Sequence, residues 1–438
     1  MRAILTNFGS TGSVHPFFAL AVELKRNDHQ PVLALSPFFA PWAERLGIEF
    51  VSIGPDMREI QYDINAAMLK MPDTTGEIKD LFAPLMPALP QIFSELRDAC
   101  RAADVLISGP WQVASRMIHE LTGIPFVTVQ NSHFGGSGTP AFQQATAALV
   151  NPFRERMGLG PVRNPLTTDA NSTQLVLYNM SRHVRPPLPD WPPYYHMPGY
   201  FVLDEEWKPD EALVRFMDGG EPPVVITFGS MTHDDPEALT ELVLESIERV
   251  GCRAVIQQGW TGLGNRSLPP HIYPAGFVSH DWLFPRASCI VHHGGAGTAG
   301  SVFLSGVPSV FVPHTFDHPL WAELARDLGC AGPPLPYAEL SADRLSESLG
   351  RTLSNPAIYQ AAADLGKRVR AEQGVVKARR LIEQLVYKVG GPGQEQHMPY
   401  REAAQSGESE ERLSRRKLYL QQQRDKRKKR VAFDDVES

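Results

Sequence analysis

Val291-His292-His293-Gly294-Gly295-Ala296-Gly297-Thr298 is the stretch on which the reading of this chain turns. An apolar run over residues 287–291 leads into it and predicts a buried strand. Small residues follow, then a segment of helical composition over 299–304. A strand, a small-residue turn and a helix start together make an anion site. The first N–H groups of a helix have no partner inside it, and its dipole favours negative charge there. Glycine lets the backbone come close to a phosphate, and His293 can add a donor to the same oxygens. A tight turn with a satisfied histidine is the plainer alternative. A second feature lies close downstream, Pro313-His314-Thr315-Phe316-Asp317-His318-Pro319-Leu320-Trp321, which again follows an apolar run and again opens a helix.

Working outward, strand-like runs alternate with amphipathic helical stretches in both halves. Residues 3–7, 30–36, 105–108, 126–130 and 175–179 read as strands, with helices over 16–26 and 112–121. The pattern stops at the proline-rich stretch 185–193, a stiff connector that cannot pair in a sheet centre. It restarts with strands at 224–228, 253–257, 273–277, 289–292 and 309–313, and a late helix over 375–389. The alternation predicts an α/β chain of two doubly wound parallel sheets with helices on both faces. The expected domains are residues 1–200, 201–389 and a polar, then charged, disordered tail over 390–438, whose basic run ends at Arg430. In such folds ligands sit beyond the carboxyl ends of the strands, and both the glycine–histidine turn and the Pro313–Trp321 segment fall at such an end.

Composition sets limits on function. The chain has 438 residues, 42% of them hydrophobic, and a formal net charge of -7. That length can bury two or three cores, and mild acidity argues against nucleic acid as the main partner. Cys100, Cys252, Cys289 and Cys330 are widely spaced and show no metal-ligand spacing, so reduced thiols in a cytoplasmic protein are expected. Met1-Arg2 runs straight into an apolar segment, so no secretory leader is expected. No apolar run is long enough to span a bilayer. The basic tail is expected to be solvated, or to make a peripheral contact with an anionic membrane or serve as a nuclear signal.

The two motifs together bring in a family. Residues 228–349 resemble the donor-binding half of family 1 (UDP-glycosyltransferase-like) nucleotide-sugar glycosyltransferases. The likeness is greatest to the bacterial and sterol-glucosyltransferase-like branch, which carries HHGGAGT followed by a D-Q-P-x-W segment. The opening Phe8-Gly9-Ser10-Thr11-Gly12-Ser13-Val14-His15-Pro16 resembles that branch's first loop, GSxGDVxPF. The resemblance spans about residues 1–388. It implies GT-B architecture, two Rossmann-like domains facing across a cleft, the first binding acceptor and the second binding nucleotide sugar.

It also implies roles for single residues. Ser230 matches a serine that contacts the diphosphate, as do His293, Gly295, Ala296, Gly297 and Thr298. Phe277 matches an aromatic that stacks on uracil, and the Val278 backbone would read the base edge. His280 stands where many relatives have a glutamine near the ribose, with Glu323 a weaker candidate for the ribose hydroxyls. Asp317 matches the carboxylate that holds sugar hydroxyls, a task suited to a group accepting two hydrogen bonds. His318 departs from the glutamine expected beside it, which leaves the sugar open. No aspartate has another two residues away. No metal and no cofactor are therefore expected beyond the UDP-sugar co-substrate, and preorganised dipoles would stabilise the leaving diphosphate, at about 3 kcal/mol per donor.

The catalytic base is where the chain departs most. Relatives place an aspartate or histidine at the position of Ser13, and a serine hydroxyl is no base at neutral pH. His15 is the alternative, with a suitable ordinary pKa near 6.5, and Asp104 and His133 could orient or replace it. Residues 56–95 are Met-rich and, with Trp111, His133, Phe134 and Phe142, could line an apolar acceptor pocket or form ordinary core. The expectation is an inverting, metal-independent transfer of a sugar from a nucleotide diphosphate, with UDP expected, to a hydroxyl of a small lipophilic acceptor. A pseudoenzyme that binds nucleotide sugar without transfer is the first alternative, and a nucleotide-sugar epimerase the second.

Overall fold

The computed structural model describes residues 1–387 except 10, 57, 59–82, 132–139, 204–206, 232, 234, 261 and 316. The sequence readings at Met57, Met68, Met71, Leu81, Phe82, His133 and Phe134, and those on the tail, lie outside the described residues.

Seven parallel strands form the first sheet: β1 (Arg2–Thr6), β2 (Gln30–Leu35), β3 (Glu49–Ser52), β4 (Val105–Ser108), β5 (Phe126–Gln130), β6 (Leu175–Tyr178) and β7 (Tyr195–His196). Their order is β3-β2-β1-β4-β5-β6-β7. Five more, β8 (Val224–Thr227), β9 (Ala254–Gln257), β10 (Ile272–Ala275), β11 (Cys289–His292) and β12 (Ser309–Phe311), form the second sheet in the order β10-β9-β8-β11-β12. The central strands are apolar on both faces because helices cover both. Ala3 and Leu5 point into one core cluster and Ile4 into another, while Val224 and Ile226 part from Val225 in the same way. This is the period of two of a strand buried on each side.

Two strands escape the sequence pattern. β3 carries a charge at its start and is half-buried, and β7 is a two-residue edge pairing amid prolines, where an edge tolerates a missing N–H. The first helix spans Thr11–Arg26, not 16–26. Proline favours a helix start, but Pro16 stands inside this helix, so the first loop is mostly helical. The helix expected over 299–304 likewise spans Ala296–Ser305, which brings Gly297 and Thr298 into its first turn.

In each sheet the strand order reverses between two neighbours, β1/β4 and β8/β11, with Ala3 opposite Val105 and Val224 opposite Cys289. Crevices open at such switch points. They place residues 7–9, 11–16 and 109–111 in one domain, and 228–231 and 293–298 in the other, where ligands bind.

Packing and hydrogen bonds join the domains. An apolar cluster sets Val176, Tyr178 and Tyr200 against Ala299, Phe303 and Trp321. The last described helix, Gly374–Tyr387, packs Ala378, Ile382 and Val386 into the core around Leu20, Leu24 and Val105 of the first domain. Arg379 Nε donates to Glu23 Oε1 at 2.8 Å, and His29 Nε2 lies 2.8 Å from Glu383 Oε1, which fix that helix on its neighbour. At its start a Cβ on Gly374 would stand 2.4 Å from the Gly199 carbonyl, so the crossing requires glycine. Among the described residues no helix is long and apolar enough to cross a membrane.

Candidate active site

One cavity of about 550 Å³ lies between the domains. Its walls come from strand ends of both sheets: residues 7–9, 11–13, 15 and 16, Trp111, Gln130 and Asn131 on one side, and Ser230, 276–281, His293, 295–298, Asp317 and His318 on the other.

The second-domain wall is built for an anion. Gly295 caps the Ala296–Ser305 helix with extended backbone, and the first intrahelical bond runs from Ala299 N–H to Gly295 O at 2.9 Å. The N–H groups of Ala296, Gly297 and Thr298 therefore have no partner within the helix. His293 is 8% exposed and wedged beside this turn. A Cβ on Gly295 would lie 2.5 Å from its Nε2, and one on Gly229, where φ is +61°, 2.9 Å from its Cε1. Glycine at both places lets an imidazole sit beside the anion site. Burial, and then the neighbouring histidines His318 and His280, hold His293 well below the ordinary histidine range, so it is neutral. Its Nδ1 is buried with no hydrogen-bond partner among the described residues. His292 ends β11 fully buried, packs tilted against Phe311 with ring centroids 4.1 Å apart, and accepts from the Gly294 N–H at 3.2 Å. Of the histidine pair, one belongs to the core and one to the cleft.

Asp317 and His318 sit at the start of the His318–Asp327 helix. The Trp321 indole, 1% exposed, donates to Asp317 Oδ2 at 2.7 Å and fixes the carboxylate. His318 Nδ1 accepts from the backbone N–H groups of His314 and Thr315, each at 3.4 Å. That leaves the ring proton on Nε2. Burial keeps the ring neutral, its pKa pushed down to about 4. The pair therefore offers a carboxylate acceptor and an imidazole donor, a set suited to sugar hydroxyls.

Residues 3–133 match the glycosyltransferase family 28 N-terminal domain, and residues 241–377 match the erythromycin biosynthesis protein CIII-like C-terminal domain. The chain is 29% identical over 422 residues to a sterol 3-beta-glucosyltransferase of Komagataella phaffii and 31% identical over 419 residues to that of Pichia angusta, covering 87% of this chain in each case. It is 29% identical over 405 residues to sterol 3-beta-glucosyltransferase UGT80B1 of Arabidopsis thaliana, covering 84% of this chain and 66% of that one. The chain spans about a third of the length of the two fungal relatives, 34% and 33%. Its fold is that of CalG4, the calicheamicin glycosyltransferase, with a TM-score of 0.66 at 18% identity over 89% of this chain and 100% of that one. The glycosyltransferase VinC in complex with DTDP gives 0.64 at 19% identity, again over 89% and 100%. The chain has the GT-B fold of these glycosyltransferases.

The first-domain wall of this cleft is held differently. Ser13 O accepts from Asn7 Nδ2 at 2.7 Å and from Asn131 Nδ2 at 2.8 Å. Asn179 Nδ2 in turn donates to Asn131 Oδ1 at 3.3 Å, and Asn179 Oδ1 accepts from the Phe201 N–H at 2.6 Å. Each asparagine stands one residue past the end of a strand, β1, β5 or β6. A Cβ on Gly109 would meet Asn7 Oδ1 at 1.9 Å, so the strand beside β1 must carry glycine there. The chain of amides fixes the turn that bears His15. Burial, and after it the Arg45 charge, hold the His15 ring at about 4, so at neutral pH it is an unprotonated acceptor. His280 faces it from the other domain, stacked on Phe284 at 4.1 Å, with its pKa pushed down to about 3 by burial and then by His15.

The cleft thus gathers Ser13, His15, Trp111, Ser230, Phe277, Val278, His280, His293, Gly295, Ala296, Gly297, Thr298, Asp317 and His318. The Val278 carbonyl accepts from Gln257 Nε2 at 3.2 Å. Three further candidates are not brought there. Glu323 pairs with Arg326 at 2.5 Å on the helix surface and does not line the cleft. Asp104 precedes β4 and accepts from the Arg2 N–H at 2.7 Å, at the opposite edge of a parallel sheet. Phe142 packs beside the core beneath the second face of the first sheet and is not a wall of the cleft. Sequence reasoning misses the asparagines and Trp321. The asparagines' one available signal is an amide directly after a buried strand.

Proposed function

We propose that the chain is an inverting, metal-independent glycosyltransferase. It would move a sugar from a nucleotide diphosphate, with UDP expected, to a hydroxyl of a small lipophilic acceptor such as a sterol or polyketide alcohol. The observation that carries this reading is the meeting, in one cleft, of a helix N-terminus flanked by His293 with a neutral His15 across from it. The acceptor oxygen attacks the anomeric carbon as the bond from that carbon to the diphosphate oxygen breaks, which inverts the configuration. The acceptor proton passes to the His15 ring. The charge that develops on the leaving diphosphate meets the N–H groups at Ala296, Gly297 and Thr298, dipoles already oriented before reaction. Asp317 and His318 orient the sugar, and Phe277 carries the base. Asp-x-Asp pairs are absent from the sequence, so these dipoles take the part that a divalent ion plays elsewhere. The relatives named as sterol 3-beta-glucosyltransferases support the lipophilic acceptor, and VinC, solved with thymidine diphosphate, makes TDP-sugars the second donor to test.

Ser13, standing where relatives have an aspartate or histidine, favours a second reading, a nucleotide-sugar binder without transfer. Donor consumption separates the two. Purified protein is given UDP- and TDP-sugars with a lipophilic acceptor library, and products are read by mass. Acceptor-plus-sugar products support the enzyme. Tight nucleotide binding with no transfer and no donor hydrolysis supports the binder.

A further inference from the structure

Four aromatic rings from the two domains meet in the cleft, and the donor motifs account for only one of them, Phe277. Phe38 and Trp42 stand on the short helices after β2, Pro37–Phe39 and Ala40–Arg45. Trp260 and Phe277 stand in the loops after β9 and β10. Trp42 meets Phe277 with ring centroids 5.5 Å apart at 41°, and Phe38 meets Trp260 at 5.7 Å and 69°. Behind them Trp42 is braced by Phe18 at 5.8 Å and Phe39 at 5.5 Å, so its position is set by the first-domain core. All four rings line the same cavity as the Ala296–Ser305 helix start. Phe277 stays 53% exposed despite its contact with Trp42, so much of its ring surface is open to a planar partner.

We propose that Trp42, from the acceptor-side domain, is part of the nucleobase subsite: the base stacks on the open part of Phe277 and is bounded by Trp42. This rests on the nucleotide-sugar reading above. The chemistry of the cavity selects the occupant. It holds both an aromatic cluster and unpaired helix N–H groups beside neutral histidines. A nucleoside diphosphate has one planar aromatic end and one anionic end, which suit the two. A lipophilic acceptor has no group for the helix N–H groups. Because Trp42 is anchored in one domain and Phe277 in the other, a base touching both holds the cleft closed. Base recognition and closure then become one event, and closure excludes the water that would hydrolyse the donor.

The test is titration calorimetry on the full chain with UDP and, separately, inorganic pyrophosphate, alongside thermal melting. Trp42→Leu is expected to raise the Kd for UDP about tenfold, the scale of one base–aromatic stacking contact, while leaving pyrophosphate binding unchanged. Phe277→Leu should do at least as much, and Trp42→Phe should restore most of the affinity. Wild-type affinity for UDP in Trp42→Leu, with loss confined to Phe277→Leu, would overturn the inference and leave the nucleotide-sugar reading standing. Tighter UDP binding in Trp42→Leu would overturn it too, since Trp42 would then compete with the base. Equal weakening of UDP and pyrophosphate, with a lowered melting temperature, would assign Trp42 to the core alone. Failure of the wild type to bind UDP or TDP would instead defeat the nucleotide-sugar reading, and this inference with it.

Discussion

The two loops that face each other across the cleft share a plan and differ in what holds them. Each leaves a parallel strand at a switch point and runs into a helix start, and they approach so closely that a Cβ on Gly297 would stand 3.1 Å from Gly12 Cα. The loop over 291–298 is shaped mainly by its own residues, glycines packed around the imidazole they flank. The segment over 11–16 is held from outside, by amides on Ser13 O that come from the end of β1 and, 118 residues away, from the end of β5. The difference separates two ways of preorganising a site. A locally encoded loop fixes backbone dipoles for the leaving group. A loop held by distant side chains leaves the acceptor-side residue free to differ, here serine with a neighbouring histidine, while its place in the cleft is kept.

That comparison can be broken at several points. The largest effect is expected at the acceptor side: His15→Ala should lower kcat about a thousandfold, within the range of a general base. In the wild type kcat should fall as pH drops through about 4, where the His15 ring takes up a proton, and His15→Ala should lack that limb. If His15→Ala keeps full activity, proton removal belongs elsewhere in the cleft. His293→Ala should cost about a hundredfold in kcat, the scale of one lost donor to a developing anion. Equal loss in donor hydrolysis and in transfer would place it on the leaving group.

Smaller effects sharpen the contrast. Trp321→Phe removes the indole bond to Asp317 and should raise KM for the donor about tenfold, since a hydrogen bond to a charged group is worth about 1.5–3 kcal/mol. UDP affinity should stay unchanged, because that pair is assigned to the sugar. Asn131→Ala, which removes the donor to Ser13 O and the acceptor for Asn179 Nδ2, should lower kcat about fivefold with little change in donor KM, as expected for neutral hydrogen bonds of about 1 kcal/mol. An effect as large as that of His15→Ala would mean that Asn131 touches substrate itself.

The smallest effect concerns stability. The folded chain keeps His15 and His318 neutral down to about 4, and His280 down to about 3. The unfolded chain takes up protons on these rings below about 6.5. Between those values the unfolded state binds more protons, so stability falls as pH is lowered through this window and is fully present above it. A melting temperature lower by about 5 °C at pH 5 than at pH 7 is expected, and a flat profile would contradict the burial of these rings.

Why some of this is legible in the sequence follows from the same contrast. Alternating apolar runs mark ten of the strands because their neighbours and covering helices act through periodicity. The glycine–histidine loop is legible because its geometry depends on residues next to one another. The asparagine chain, the Trp321–Asp317 bond and the Trp42–Phe277 contact join segments by side chains whose spacing no local period carries, except that Trp321 lies one helical turn from Asp317. Asp104 misleads because a strand's two ends look alike until the direction of a parallel sheet assigns one of them to the cleft.

The most direct measurement of the central claim is product mass spectrometry on the wild type, His15→Ala and His293→Ala, each given UDP- and TDP-sugars and a sterol-containing acceptor mixture. The account predicts acceptor-plus-sugar products with the wild type and their near-complete loss in both variants, each of which still binds the nucleotide. Intact donor and no product with the wild type, while UDP binds, would contradict it.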